Sequence, residues 1–123
     1  MSVKPNILYV DDEQDNLIAF RSLFRRFFNI LTANGGQEAL DVMQKYPVHL
    51  LLSDQRMPKM SGLELCDIVM KKYPHAKRII ITGYSEMAPI EEAIRSGKVA
   101  QCITKPWDAE ELKRIIVSAL STL

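Results

Sequence analysis

Five positions in this chain carry side chains suited to chemistry, and each stands at the end of a short apolar run. Asp11 and Asp12 follow Asn6-Ile7-Leu8-Tyr9-Val10. Asp54 closes Leu50-Leu51-Leu52-Ser53-Asp54, and Thr82 closes Arg78-Ile79-Ile80-Ile81-Thr82. Lys105 follows Ala100-Gln101-Cys102-Ile103-Thr104. Taken singly, each has a plain structural reading. Asp54 can cap a turn before Met57-Pro58, and Asp11-Asp12-Glu13 can be a solvated acidic turn that also caps the next helix. Taken together, three carboxylates, a hydroxyl and an ammonium suit phosphoryl transfer to a carboxylate. Adjacent acids repel one another, and the repulsion costs least when a cation shares the site. Such a hard oxygen site suits Mg²⁺, which keeps several waters and takes one or two carboxylates directly. The metal would offset charge on both the carboxylate and the incoming phosphoryl group. Lys105 would supply a point charge to one phosphoryl oxygen, and Thr82 a hydrogen bond to another. An aspartate nucleophile forming an acyl phosphate is established chemistry.

The elements that must position these groups alternate strand and helix five times. The leucines before Asp54 suit a strand buried on both faces of a parallel sheet, and Met57-Pro58 stops it. After the first strand the pattern turns helical from Asn16. Leu17, Phe20, Phe24, Phe27 and Phe28 read as core, and Arg21, Arg25 and Arg26 as a solvated face or a basic patch for a partner. Ile30 to Ala33 is a second strand, broken by Asn34-Gly35-Gly36. Gln37 to Tyr46 is a second helix with Ala39, Leu40 and Met43 inward, ended by Pro47. Lys59 to Gly62 is a loop. Ser61 and Glu64 make a capping box for a third helix, whose apolar stripe is Leu63, Cys66, Val69 and Met70. Cys66 reads as a small core residue. After the fourth strand, Glu86 to Ser96 is a helix with Pro89 near its start and Gly97 past its end. It is the least apolar of the five. Trp107-Asp108 opens the last helix, with Leu112, Ile115, Ile116, Ala119 and Leu120 inward. Short connections between alternating strands and helices imply a doubly wound parallel sheet with right-handed crossovers. The C-terminal strand ends of such a sheet share one edge, where open α/β sheets bind ligands. One pocket would therefore hold all five groups.

Composition narrows the class. A chain of 123 residues is expected to form one domain. A net charge of +1 gives no case for broad nucleic-acid or membrane affinity. Cys66, Cys102, His49 and His75 lack metal-ligand spacing, and the unpaired cysteines fit a reducing cytoplasm. No apolar run reaches membrane-spanning length.

On these motifs the whole chain, from Ile7 to about Leu120, resembles the receiver domain of two-component response regulators, the CheY-like fold. The motifs are Asp11-Asp12, Ser53-Asp54-Gln55-Arg56-Met57-Pro58 with Gly62, Ile81-Thr82-Gly83 and Thr104-Lys105-Pro106. The resemblance implies a flavodoxin-like sheet in strand order 2-1-3-4-5. It also implies a single receiver domain over 1–123 with no output domain in the chain, and Asp54 as phosphoacceptor. Asp12, Asp54 and the main-chain carbonyl of Arg56 would ligate Mg²⁺ directly, with Asp11 acting through metal-bound water. Thr82 and Lys105 would contact the phosphoryl group, and the Lys105-Pro106 bond would be cis. The family usually has Tyr or Phe where this chain has Cys102, too small for an aromatic in/out switch. Tyr84 is a candidate replacement, and the bland reading of Cys102 is a small core residue. Arg56 and Tyr84 would flank the path of the attacking water.

The implied function is a phosphorylation-dependent signalling switch. A sensor histidine kinase or phosphotransfer protein would donate to Asp54, and the domain would catalyse only its own phosphorylation and dephosphorylation. The readout face would be the fourth helix, fifth strand and fifth helix, serving a fused or separate output domain or a homodimer. Phrases such as Asp-Gln-Arg-Met-Pro and Thr-Lys-Pro-Trp-Asp resemble receivers attached to cyclic-dinucleotide phosphodiesterase or kinase modules. Three rivals stand beside this reading. The first is a receiver-fold interaction module that has lost switching. An aspartyl-phosphate hydrolase would need a second acid where Arg56 stands. A flavodoxin-like cofactor binder would need a phosphate loop where the chain has Asp11-Asp12-Glu13.

Overall fold

The computed structural model describes residues 4–83 and 87–121. Its elements are β1 Asn6–Val10, α1 Gln14–Phe24, β2 Asn29–Ala33, α2 Gly36–Lys45, β3 Leu50–Asp54, α3 Gly62–Lys72, β4 Lys77–Thr82, α4 Met87–Arg95, β5 Gln101–Thr104 and α5 Ala109–Leu120. All strand pairs are parallel, in the order β2-β1-β3-β4-β5. This is the doubly wound, flavodoxin-like sheet that the motifs imply.

The period-2 alternation of a strand explains why its central members are apolar at consecutive positions. Ile7, Tyr9, Leu50, Leu52, Ile79 and Ile81 pack with Leu17, Phe20 and Phe24 of α1 and Leu112 and Ile116 of α5. Their neighbours Leu8, Val10, Leu51 and Ile80 pack with α2, α3 and α4 on the other face, through Ala39, Met43, Leu65, Cys66, Val69, Ile90 and Ala93. The chain leaves β1 for β2 at one edge, then crosses back to β3. The sheet therefore opens a crevice at the C-terminal ends of β1 and β3. Register sets those ends level: Val10 pairs with Ser53, Asp54 with Ile81, and Thr82 with Thr104.

Local signals account for most boundaries. Ser61 caps α3 in a capping box: its hydroxyl accepts from the Glu64 N–H at 3.1 Å, and Glu64 accepts from the Ser61 N–H at 2.8 Å. Asp108 caps α5 by accepting from the Glu111 N–H at 3.0 Å. Gly97, after α4, takes the left-handed φ of +83° that a non-glycine residue avoids. Cys66 is a buried core residue, and burial pushes its thiol up to about 12. Arg21, Arg25 and Arg26 lie on an exposed face.

Some expectations need correction. Phe27 is not core: α1 ends at Phe24, so the helical spacing fails beyond it, and Phe27 is 39% exposed with the Lys113 ammonium 3.5 Å above its ring. In α3 the fully buried stripe is Leu65, Cys66 and Val69, while Leu63 and Met70 are half-buried. β2, β4 and β5 begin at Asn29, Lys77 and Gln101, a residue away from the apolar runs. α5 starts at Ala109, with Trp107 and Asp108 ahead of it. Tyr84 and Glu86 lie outside the described residues. No helix among the described residues is long and apolar enough to cross a membrane.

Candidate functional site

The sheet edge collects the acids. Asp11 and Asp12 follow β1 directly, and Asp54 is the last residue of β3. Ligand oxygens of the three lie within 4.8 Å of one another. Asp11 is fully buried, Asp54 is 7% exposed and Asp12 faces solvent. From the other side Lys105, one residue past β5, brings its ammonium to 2.9 Å from Asp54 Oδ1. Thr82 ends β4 and is buried. The Lys105-Pro106 peptide is cis. Arg56 lies exposed on the loop that leaves β3. A groove of about 710 Å³ between α1 and α5 includes none of these residues.

Electrostatics at this edge favour an added cation. Burial is the largest cause pushing the Asp54 carboxyl up. The Lys105 hydrogen bond and charge pull it down, but Asp11 and Asp12 push it up again, and the net direction is upward. Burial alone would lower Lys105. The bond to Asp54 and the charges of Asp54, Asp11 and Glu13 outweigh it, so Lys105 is raised. At Asp54 the upward shift is chiefly burial, whereas at Lys105 it is the negative charge of Asp54, Asp11 and Glu13, which an added cation would also meet. The donor set, three oxygen acids with one ammonium beside them, fits a hard divalent cation better than a soft metal.

Three polar residues at the site have no obvious signal in the sequence. The Tyr9 hydroxyl donates to Asp11 Oδ2 at 3.1 Å, and Asn16 Nδ2 donates to the same oxygen at 3.0 Å. The Glu13 N–H donates to Asp11 Oδ1 at 2.9 Å. Gln55 is 4% exposed, and its side-chain oxygen accepts from the Leu63 N–H at 2.9 Å. Its main-chain carbonyl accepts from the Gly62 N–H at 3.0 Å, and its own N–H reaches the Ile81 carbonyl at 3.0 Å. Gln55 thus fastens the end of β3 to both α3 and β4. Tyr9 reads as a core aromatic and Asn16 as a helix start. Only the alternation that puts residues 9 and 11 on one strand face gives a hint.

This arrangement defines a class: an open α/β switch-point site with clustered acids and a lysine beside them. The chain belongs to the response regulator receiver domain family, whose sequence model matches residues 7–117. It is 35% identical over 120 residues to the hydrogenase transcriptional regulatory protein HoxA of Bradyrhizobium diazoefficiens, covering 98% of this chain and 25% of that one. The chain spans about a quarter of the length of the first curated relatives it matches. Among solved structures it resembles the signal receiver domain of an HD domain-containing protein from Pseudomonas fluorescens Pf-5 (TM-score 0.91, 29% identity, 98% and 97% of the two chains). It also resembles a structure described as adenylate cyclase from Rhodopirellula baltica (TM-score 0.93, 27% identity, 97% and 89%). The domain is a phosphoacceptor signalling module of the two-component type.

Proposed function

We propose that Asp54 is the phosphoacceptor and that Asp12, Asp54 and the Arg56 main-chain carbonyl would hold Mg²⁺, with Asp11 reaching it through water. The observation that carries the reading is the pairing of Lys105 with Asp54 Oδ1 at 2.9 Å beside two further acids. Lys105 ties up one carboxylate oxygen and leaves the other as the nucleophile. That oxygen forms a bond to phosphorus as the bond from phosphorus to the donor's imidazole nitrogen breaks, and the electron pair leaves with the donor. The lysine stem is long enough to follow charge from the carboxylate to a phosphoryl oxygen. Thr82, at the end of the neighbouring strand, meets another. The bound cation would supply charge neutralisation for the nucleophile and the phosphoryl group.

The donor is a sensor histidine kinase or a phosphotransfer protein, with small phosphodonors as substitutes. Relatives named as transcriptional regulatory proteins support a signalling output beyond this domain. The readout face is α4, β5 and α5, offered to an output domain or to a second copy. Cys102 favours a second reading, an interaction module with weakened switching. It is half-buried beside the α2–α4 core, and burial raises its thiol.

The test is intact mass after incubation with acetyl phosphate or phosphoramidate, with and without Mg²⁺, beside Asp54→Asn. A single phosphoryl adduct requiring both Mg²⁺ and Asp54 is expected. An adduct that survives Asp54→Asn would overturn the assignment, and no adduct together with no Mg²⁺ binding would favour the interaction module.

A further inference from the structure

Asp11 is held by three hydrogen bonds, from the Tyr9 hydroxyl, the Asn16 amide and the Glu13 N–H. An ionised carboxylate offers about four lone-pair positions, so about one remains free. Asp11 is fully buried, so water offers no ready replacement for a donor that is lost. The donors are also fixed. Tyr9 is 2% exposed, and its ring lies flat on Phe20, with centroids 4.1 Å apart and planes 1° from parallel. Asn16 sits in the first turn of α1, its N–H on the Glu13 carbonyl at 3.1 Å. Two of the three donors converge on Oδ2. For both Asp11 oxygens to chelate one cation, a buried phenol and an amide would have to give up their acceptor.

We infer that Tyr9 and Asn16 are positioning residues that confine Asp11 to single-point contact and thereby bias the acidic site toward Mg²⁺ over Ca²⁺. The inference rests on the metal-dependent reading above. Mg²⁺ needs near-ideal octahedral geometry, keeps waters and uses few carboxylates. Ca²⁺ takes six to eight oxygens and readily accepts both oxygens of one carboxylate. A carboxylate whose second oxygen is already engaged serves the first ion through a water and denies the second a chelate. Without the clamp, Asp11 turns and offers both oxygens.

The experiment is separate calorimetric titrations of the full chain with Mg²⁺ and Ca²⁺, for the wild type, Tyr9→Phe, Asn16→Ala and the double variant. Tyr9→Phe keeps the ring on Phe20 and removes only the hydroxyl. Thermal unfolding in chelator identifies variants that remain folded, and Tyr9→Phe alone reads the ratio if the double variant does not. The ratio of the Ca²⁺ to the Mg²⁺ dissociation constant is expected to fall about tenfold in the double variant, the size seen when partners that orient a ligand are removed. Each single variant should give part of that fall. A ratio that stays constant, whether both affinities drop together or neither moves, overturns the clamp and leaves the metal-dependent reading standing. A wild-type chain that binds neither ion overturns both.

Discussion

Replacing Gly62 by alanine tests whether the fold positions Asp54 by backbone contact. A Cβ built on Gly62 would lie 2.5 Å from the Asp54 carbonyl oxygen, 2.9 Å from Ile80 Cδ1 and 3.1 Å from Gln55 Cα. The isoleucine tip can give way, but the other two atoms belong to the backbone of β3 and the residue after it. Two effects oppose each other. Gly62 opens α3, and alanine is favoured over glycine in a helix by at most about 1 kcal/mol. Overpacking a tight contact typically costs about 1–3 kcal/mol, and here the neighbour is backbone, which places the cost near the upper end. The net expectation is a loss of about 1–2 kcal/mol. For a chain of this size each kcal/mol corresponds to about 4 °C, so the midpoint should fall by about 4–8 °C. If the end of β3 yields instead, Asp54 moves with it, and a misplacement on the order of 1 Å can slow chemistry about 100-fold. The assay is thermal unfolding in chelator together with the initial rate of adduct formation from acetyl phosphate. Gly35→Ala is the control: nothing lies within 4 Å of its Cβ, and its φ of 176° is ordinary extended backbone. A Gly62→Ala midpoint at or above the wild type would refute the argument, since propensity alone predicts a rise.

Asp54→Asn should stabilise the chelator-treated protein at neutral pH. The folded state raises the Asp54 carboxyl, so its favourable contribution is complete below the unfolded value near 4 and is lost as pH rises through the folded value. The midpoint gap between variant and wild type should therefore shrink as pH is lowered toward about 4, which thermal melts across pH would show. Lys105→Met should slow phosphorylation by roughly 100-fold or more, as when one charge-stabilising donor is lost. The same change should tighten Mg²⁺ binding measured by calorimetry, because it removes a cation from beside the acids. Ser61→Ala deletes the α3 capping box and should lower the midpoint by about 4 °C, from a loss of about 1 kcal/mol, with phosphorylation unchanged.

The element order was legible because apolar runs and breakers alternate plainly, and β1 and β3 match their runs residue for residue. The three acids and the lysine were legible because a charge at or just past the end of an apolar run is out of character; Thr82 is an ordinary strand residue, legible only by its matching position at a strand end. The residues that hold them were not. Tyr9 looks like any core aromatic until the sheet sets its hydroxyl against Asp11. Gln55 reads as a turn residue, yet it is buried and joins three elements. The reason for Gly62 is a through-space approach to the Asp54 carbonyl, which no local pattern encodes. Phe27 misleads in the opposite way. Its spacing is that of a helix that has already ended.

The small residue at position 102 bears on where switching energy is stored. Cys102 pairs across the sheet with Ile80 and packs beside the α2–α4 core, where a thiol offers little surface to move. The aromatic mass lies on the other face, where Tyr9, Phe20, Phe24 and Trp107 form one run of ring contacts. The acids hold energy of another kind. Asp11 and Asp54 are both buried with ligand oxygens within 4.8 Å, which at an effective dielectric near 20 corresponds to about 3 kcal/mol of repulsion. On the proposed reading, phosphorylation of Asp54 replaces the carboxylate charge beside Asp11 with a phosphoryl group whose larger charge lies farther out, toward Lys105 and Thr82, where a bound cation would offset it. A ligand shifts a conformational equilibrium only by its differential free energy between the two states. Moving a population from 1:99 to 99:1 takes about 5.5 kcal/mol, so this pair contributes only to the extent that its energy differs between the two conformations. Charge rearrangement at the sheet edge is thus a source of switching energy that does not require an aromatic rotamer at position 102. If so, restoring an aromatic by Cys102→Tyr should leave the phosphorylation-induced change in Trp107 fluorescence largely intact. A switch that appears only in Cys102→Tyr would place the driving force in the rotamer instead.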